Sequence, residues 1–321
     1  MVGARLRFPF AHLPTRHAKN QCAPWNRNYL QNGGLPDPLF HSQVSEERRG
    51  EPGNRNPGKV WAAIMTEFAF YLDDGGHPDD QPFLVVAGYV ATELRWLAFE
   101  PQWRAALNKF ELGDEFHMTD FMRARYTALK RDQILSELAL ITKHHTLHPF
   151  MCCLDIAAYG RVNEEFALEE SHGAPFALTF RALKRAMHIW ENQNFNFGDR
   201  SLTFIEQGTK HYGDLEKVCK RAGIPIPHRV PKEMPQVQPS DILAWETFKW
   251  LKDGSPRKQG KNLSRLTRQF RFQEHLGGML YEHDLRRICE DTNVPPRSVM
   301  TPESTIVFHS NLKRKRKRTI K

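Results

Sequence analysis

From residue 67 to residue 252 short apolar runs alternate with stretches of helical periodicity, and few architectures accept that alternation. Phe68, Phe70 and Leu72 interleave with Ala69 and Tyr71 in a run that ends on Asp73 ahead of Gly75-Gly76, which predicts a buried strand with an acid at its end. Residues 83–91 form a second strand, joined to the first as a hairpin through a loop holding His77, Pro78, Asp79 and Asp80. Thr92 then caps a helix running to about residue 110, on which Trp96, Phe99, Trp103 and Leu107 recur at helical spacing as core residues. A helix over 131–144, a strand over 149–157, a helix over 175–192, a strand over 201–206 and a helix over 212–222 follow. After a Pro-punctuated stretch over 225–239, Pro239 opens a helix over 240–252. No repeat of fixed period interrupts the pattern. The expectation is one α/β domain over residues 65–290, a mixed sheet flanked by helices, whose more polar C-terminal part is a helical appendix reaching about residue 290.

The formal net charge of +9 sits at the ends of the chain. Residues 1–63 carry nine Lys/Arg against four Asp/Glu and residues 313–321 carry seven against none, which leaves about −3 for the middle. Residues 1–63 are rich in Asn, Gly, Pro and Arg without apolar periodicity and are expected to be a disordered extension, with Met65 an alternative start that would make them an artefact of the gene prediction. Residues 291–321 are expected to be a disordered basic tail, able to bind any polyanion. No run of eighteen apolar residues exists and the first residues lack the apolar block of a secretory signal, so neither a membrane span nor export is expected. Cys22, Cys152, Cys153, Cys219 and Cys289 follow neither a zinc pattern nor a disulfide framework. They read as packing residues of a cytoplasmic protein without a disulfide-linked partner.

Three acids occupy places that folding alone does not favour. Asp73 ends an apolar strand, Glu206 does so after Leu202, Phe204 and Ile205, and Asp241 opens a helix whose following residues are largely apolar. A carboxylate brought close to a core loses its hydration and needs a cationic or hydrogen-bonded partner. Hard divalent cations are suited to oxygen ligands, and acids at adjacent strand ends converge on one crevice at the sheet edge. Two Mg²⁺ or Mn²⁺ ions roughly 3.5–4 Å apart would activate water on one side of a phosphodiester and stabilise the leaving oxygen on the other. A local reading stands beside this one: Asp73 begins a turn with Gly75 and Gly76, and Asp241 is a first-turn acid favoured by the helix dipole.

The run Phe70-Tyr71-Leu72-Asp73-Asp74-Gly75-Gly76 resembles the opening signature of the domain-of-unknown-function 3800 family, an apolar strand ending in Asp-Glu-Ser-Gly. That group is assigned to the ribonuclease-H-like superfamily and suspected of nuclease activity. Here the first acid is kept, Asp74 replaces Glu and Gly75 replaces Ser. The family's Glu-x-His is matched by Glu115-Phe116-His117, and its acid-ended strand by Thr203-Phe204-Ile205-Glu206, with Gln207 where a second acid often stands. Its Gln-x-Ala-Asp helix opening, preceded by a Lys-containing strand, is matched by Gln238-Pro239-Ser240-Asp241 after Lys232, with Ser240 in place of Ala. The resemblance spans about residues 66–252. It implies a ribonuclease-H-like fold in which Asp73 and Asp241 are the principal metal ligands, Glu206 is the third, and Gln238 positions the helix or a substrate phosphate.

His117 has two readings, a general acid or base beside the metals or a histidine linking the strand edge to a loop. His144, His145 and His148 lack further zinc ligands and read as a solvated helix terminus. Lys249, Lys252, Arg257, Lys258, Lys261, Arg265, Arg268 and Arg271 follow the Asp241 helix with Asp253 alone opposing them. They form either a phosphate-binding surface beside the metals or an ordinary solvated face. The expectation is a metal-dependent nuclease or related phosphodiesterase acting on DNA or RNA. Its alternatives are a catalytically silent nucleic-acid- or partner-binding module of the same fold and a metal-dependent hydrolase of a small phosphorylated molecule.

Overall fold

The computed structural model describes residues 67–76, 81–195, 199–253 and 276–299. Among them the apolar alternation of the first run becomes strand β1, Glu67–Gly75, which pairs antiparallel with β2, Phe83–Thr92, and β2 pairs antiparallel with β3, His148–Asp155. Strand β4, Arg200–Glu206, adds to the other side of β1 in parallel, and the short β5, His228–Val230, adds in parallel to β4. Strand β6, Leu276–Leu280, runs parallel to β3 at the far edge, giving a six-stranded mixed sheet in the order β5-β4-β1-β2-β3-β6.

Helices flank this sheet. The described ones are α1 (Glu93–Lys109), α2 (Met118–Arg123), α3 (Ala128–His145), α4 (Ile156–Glu165), α5 (Leu168–His172), α6 (Pro175–Asn194), α7 (Tyr212–Ala222), α8 (Gln238–Asp253) and α9 (Glu282–Asp291). Because successive strand residues point to opposite faces, β1 feeds two cores. Phe68, Phe70 and Leu72 pack with Phe176, Phe180, Leu183, Met187 and Trp190 of α6. Tyr71, with Val85, Ala87 and Tyr89 of β2, packs against Trp96, Phe99 and Trp103 of α1 and against Ile242, Leu243 and Ala244 of α8.

Several expectations agree closely with these elements. Thr92 caps α1 by accepting the Arg95 backbone N–H at 3.4 Å, and α7 has the bounds read from the sequence. Others are corrected. The third strand stops at Asp155, whose carboxylate accepts the Ala158 N–H at 2.9 Å and starts α4, so a strand over 149–157 is too long. The helix expected from residue 131 begins a turn earlier, where Thr127 accepts the Lys130 N–H. The C-terminal part is not a helical appendix: β6 completes the sheet, and Leu280, Leu285, Cys289 and Val294 are buried in the α6-side core. Ordered packing also passes the expected boundary at 290, since Pro296 bridges Phe166 and Arg297 pairs with Glu170. His145 is buried against Phe99 rather than solvated, and burial lowers its basicity. The loop 77–80, the extension 1–63 and the tail beyond 299 lie outside the described residues. Among the described residues no helix is long and apolar enough to cross a membrane, and Cys152, Cys153, Cys219 and Cys289 are free thiols.

Candidate active site

Strands β1 and β4 are adjacent and parallel, so both chains leave the sheet at the same edge. Their register, Leu72 opposite Ile205, sets Asp73 beside Glu206, and the pleat turns both toward the face covered by α8. Two contacts bring the start of α8 to this edge. The Ser240 hydroxyl donates to the Tyr71 carbonyl at 2.8 Å. At Gly75 a Cβ would stand 2.9 Å from the Ala244 carbonyl oxygen, so the absence of a side chain lets helix and strand approach. Asp241 in the first turn of α8 therefore meets the strand-end acids.

Asp73, Glu206 and Asp241 are 5%, 9% and 6% exposed, too little for water to carry three negative charges. Burial pushes the Asp73 carboxyl well above the usual range, and the neighbouring Glu206, Asp241 and Asp74 raise it further. The same desolvation brings Asp74 up to about 6, opposed by the nearby Thr209 hydroxyl and by His211. Asp241 is also pushed up to about 6 by burial, opposed by His117, by the Met118 backbone N–H donating at 2.5 Å, and by Lys232. Lys232 Nζ lies 3.7 Å from Glu206 Oε1. Asp74 is thus the fourth member of the cluster. Sequence reading placed it only as a replaced glutamate, although two successive acids at the end of an apolar strand were the available signal.

These oxygens fit a hard divalent cation by chemistry, since a cation would relieve both the desolvation and the mutual repulsion. As they stand, no three His, Cys, Asp or Glu side chains among the described residues converge closely enough to hold a metal ion. His117 is half-buried at the rim, with Nε2 4.0 Å from Asp241 Oδ1 and Nδ1 3.4 Å from Asp120 Oδ2 without hydrogen-bond geometry. It is within reach of the acids by a small rotation.

Gln238 has a different place from the phosphate contact considered for it. Its side chain is 2% exposed, Nε2 donates to the carbonyls of Asp114 and Lys232 at 3.0 Å each, and Oε1 accepts the Trp103 indole N–H at 2.7 Å. Every polar direction except one lone pair is used internally. Gln238 ties together α1, the segment leading to His117 and the segment carrying Lys232. Replacing it with alanine strands an indole N–H and two carbonyls, so Gln238→Ala is expected to lower stability by about 3 kcal/mol in urea denaturation. Lys249 lies eight residues beyond Asp241, about 12 Å along the helix, with its ammonium over the Trp245 ring at 5.8 Å. The structure does not bring it to the acids. Lys258, Arg265 and Arg268 lie outside the described residues.

No protein-family model, curated protein or solved structure matches the chain. The resemblance to the domain-of-unknown-function 3800 family therefore rests on the motifs quoted above.

Proposed function

We propose that this chain is a divalent-metal-dependent phosphodiesterase of ribonuclease-H-like fold that hydrolyses nucleic acid. The observation that carries the reading is the nearness of Asp73, Asp74, Glu206 and Asp241, from β1, β4 and α8, in one largely buried group in which burial and the neighbouring acids raise the proton affinity of the three aspartates. The finer fold reading is supported by the antiparallel β1–β2–β3 meander, extended in parallel beyond β1 by β4 and β5, with acids at the ends of β1 and β4.

Bound Mg²⁺ or Mn²⁺ would supply an activated water and a counter-charge for the phosphate. Asp73 and Asp241 would hold it with Glu206 and Asp74, after the carboxylates rotate inward. The N-terminus of α8 adds its positive dipole end at Asp241. In this reading Lys232, 3.7 Å from Glu206, would meet an anionic phosphate oxygen, and His117, 4.0 Å from Asp241, would be the general acid or base. A second reading, a nucleic-acid- or partner-binding module without catalysis, is favoured by one observation: the acids do not converge on a single ligand position.

Calorimetric titration of Mn²⁺ into the metal-free protein separates the two. Saturable uptake is expected, with proton release and with affinity rising as the pH is raised through about 6, where Asp74 and Asp241 give up their protons. Asp241→Asn should remain folded and lose the uptake. A wild-type protein that takes up no Mn²⁺, even with a short oligonucleotide present, would overturn the catalytic reading in favour of the binding module.

A further inference from the structure

Helix α1 is apolar on both sides. Trp96, Phe99, Trp103 and Leu107 form the inner stripe that packs on the sheet. On the outer side Leu94, Leu97, Ala98, Pro101 and Ala105 recur at the spacing of a second stripe, and all five are exposed, Leu94 to 78% and Leu97 to 59%. The charged side chains of α1 stand along its flanks and are engaged there. Glu100 pairs with Arg104, Lys109 pairs with Glu137 of α3, Arg95 donates to the Thr146 carbonyl at 3.5 Å, and Glu93 lies on the flank turned toward Tyr71. A helix that ends its packing at the sheet turns its charges outward, whereas this one keeps its outer face for apolar contact. Pro101 adds an acceptor to that face: having no N–H, it leaves the Leu97 carbonyl without its helical partner four residues on.

The chain itself supplies what fits there. In the β1–β2 ladder Phe68 pairs with Thr92, the cap of α1, so the chain enters β1 beside the first turn of that helix, next to Leu94. Immediately upstream, outside the described residues, stand Val60-Trp61-Ala62-Ala63-Ile64-Met65, six hydrophobic residues in succession. Nowhere else before β1 do more than two hydrophobic residues stand together. We propose that residues 60–65 fold back from the entry of β1 and cover the outer face of α1. The reach suffices: six residues of extended chain cover about 20 Å, and the stripe from Leu94 to Ala105 is about 16 Å long. An extended segment also brings backbone N–H groups to the Leu97 carbonyl. A second copy of the protein competes poorly for the same face, because a segment tethered beside it is present at an effective concentration on the order of millimolar. The inference is independent of the reading of the carboxylates, and it takes the folded unit upstream into the extension expected from composition.

The test is hydrogen–deuterium exchange of the full chain, with sedimentation read beside it for the mass in solution. In the wild type the amides of residues 60–65 are expected to exchange more slowly than free peptide by about tenfold or more, in a monomer. Leu94→Gln combined with Leu97→Gln changes exposed positions alone and leaves the inner stripe of α1 intact. That pair should return residues 60–65 to the free rate while β1 and α1 keep their protection. Trp61→Ser, at the other side of the contact, should do the same to residues 62–65. Exchange of 60–65 at the free rate in the wild type overturns the proposal. So does protection that the leucine pair leaves unchanged, which would seat the segment elsewhere. A wild-type dimer that the leucine pair dissociates, with residues 60–65 unprotected throughout, overturns it in favour of a second copy as the cover.

Discussion

The Asp73→Asn variant is expected to lose Mn²⁺ binding and metal-dependent turnover while melting higher than the wild type in EDTA at pH 8. Asn keeps the oxygen that accepts the Asp74 backbone N–H at 2.8 Å, so the local turn survives. It removes the carboxyl that burial and three neighbouring acids hold well above the usual range. A carboxyl whose folded-state proton affinity is raised contributes stability at acidic pH and loses it as the pH climbs through the raised value. Variant and wild type should therefore differ little at pH 4 and diverge toward pH 8. The gain is expected to show as a higher melting temperature, at about 2–4 °C for each kcal/mol in a domain of this size. Metal affinity should fall by more than about a hundredfold, because removing even an outer partner of a ligand costs about 10- to 100-fold. Lower melting at pH 8 would make Asp73 a structural acid.

The second large effect concerns an acid away from the cluster. Glu246 on α8 is 7% exposed, one of its carboxyl oxygens is buried without a hydrogen-bond partner, and burial pushes it up to about 8. It lies near the Tyr89 phenol, which burial first and Glu246 second make harder to ionise. The folded protein thus holds a proton that the unfolded chain releases near pH 4.5, the ordinary value. Stability from this group is present below that pH and is lost between there and about pH 8. Glu246→Met fills similar volume without a charge to bury. Thermal or urea unfolding should find it within about 1 kcal/mol of the wild type at pH 4, and more stable by roughly 4 kcal/mol at pH 9. A pH-independent difference would show that Glu246 keeps its charge compensated.

The elements most legible in the sequence were those whose signals are local. Thr92 as a cap and the helical spacing over 175–192 and 212–222 are short-range signals, and α1, α6 and α7 fall close to where they place them. What escaped depended on distant partners. Gly277-Gly278 carry no strand propensity, and β6 exists because β3 offers an open edge. Residues 156 and 157 are apolar enough to read as more strand, while Asp155 acting as a cap ends it. That Asp73, Glu206 and Asp241 lie at one end of the sheet followed from their positions at strand ends and helix start. The inward use of Gln238 did not, since its three partners come from Trp103, Asp114 and Lys232. Glu246 follows Ile242 by four residues and so shares its buried stripe, a spacing that marks it in retrospect.

The connectivity of the sheet also sets when the acids meet. β1 and β2 are joined by a short connection, whereas β1 pairs with β4 across roughly 130 residues of chain, and Asp241 arrives later still. Long-range pairings form late, because closing large loops precedes any gain from the contacts they make. The carboxylates are therefore expected to be still apart in the transition state for folding, so that their repulsion acts on the finished protein. Relieving it by Asp73→Asn should slow the rate at which the protein opens and leave the rate at which it forms almost unchanged, which stopped-flow unfolding and refolding at pH 8 checks. The cluster would then act as a latch whose strength is set after assembly, read as slower unfolding of Asp73→Asn at an unchanged refolding rate.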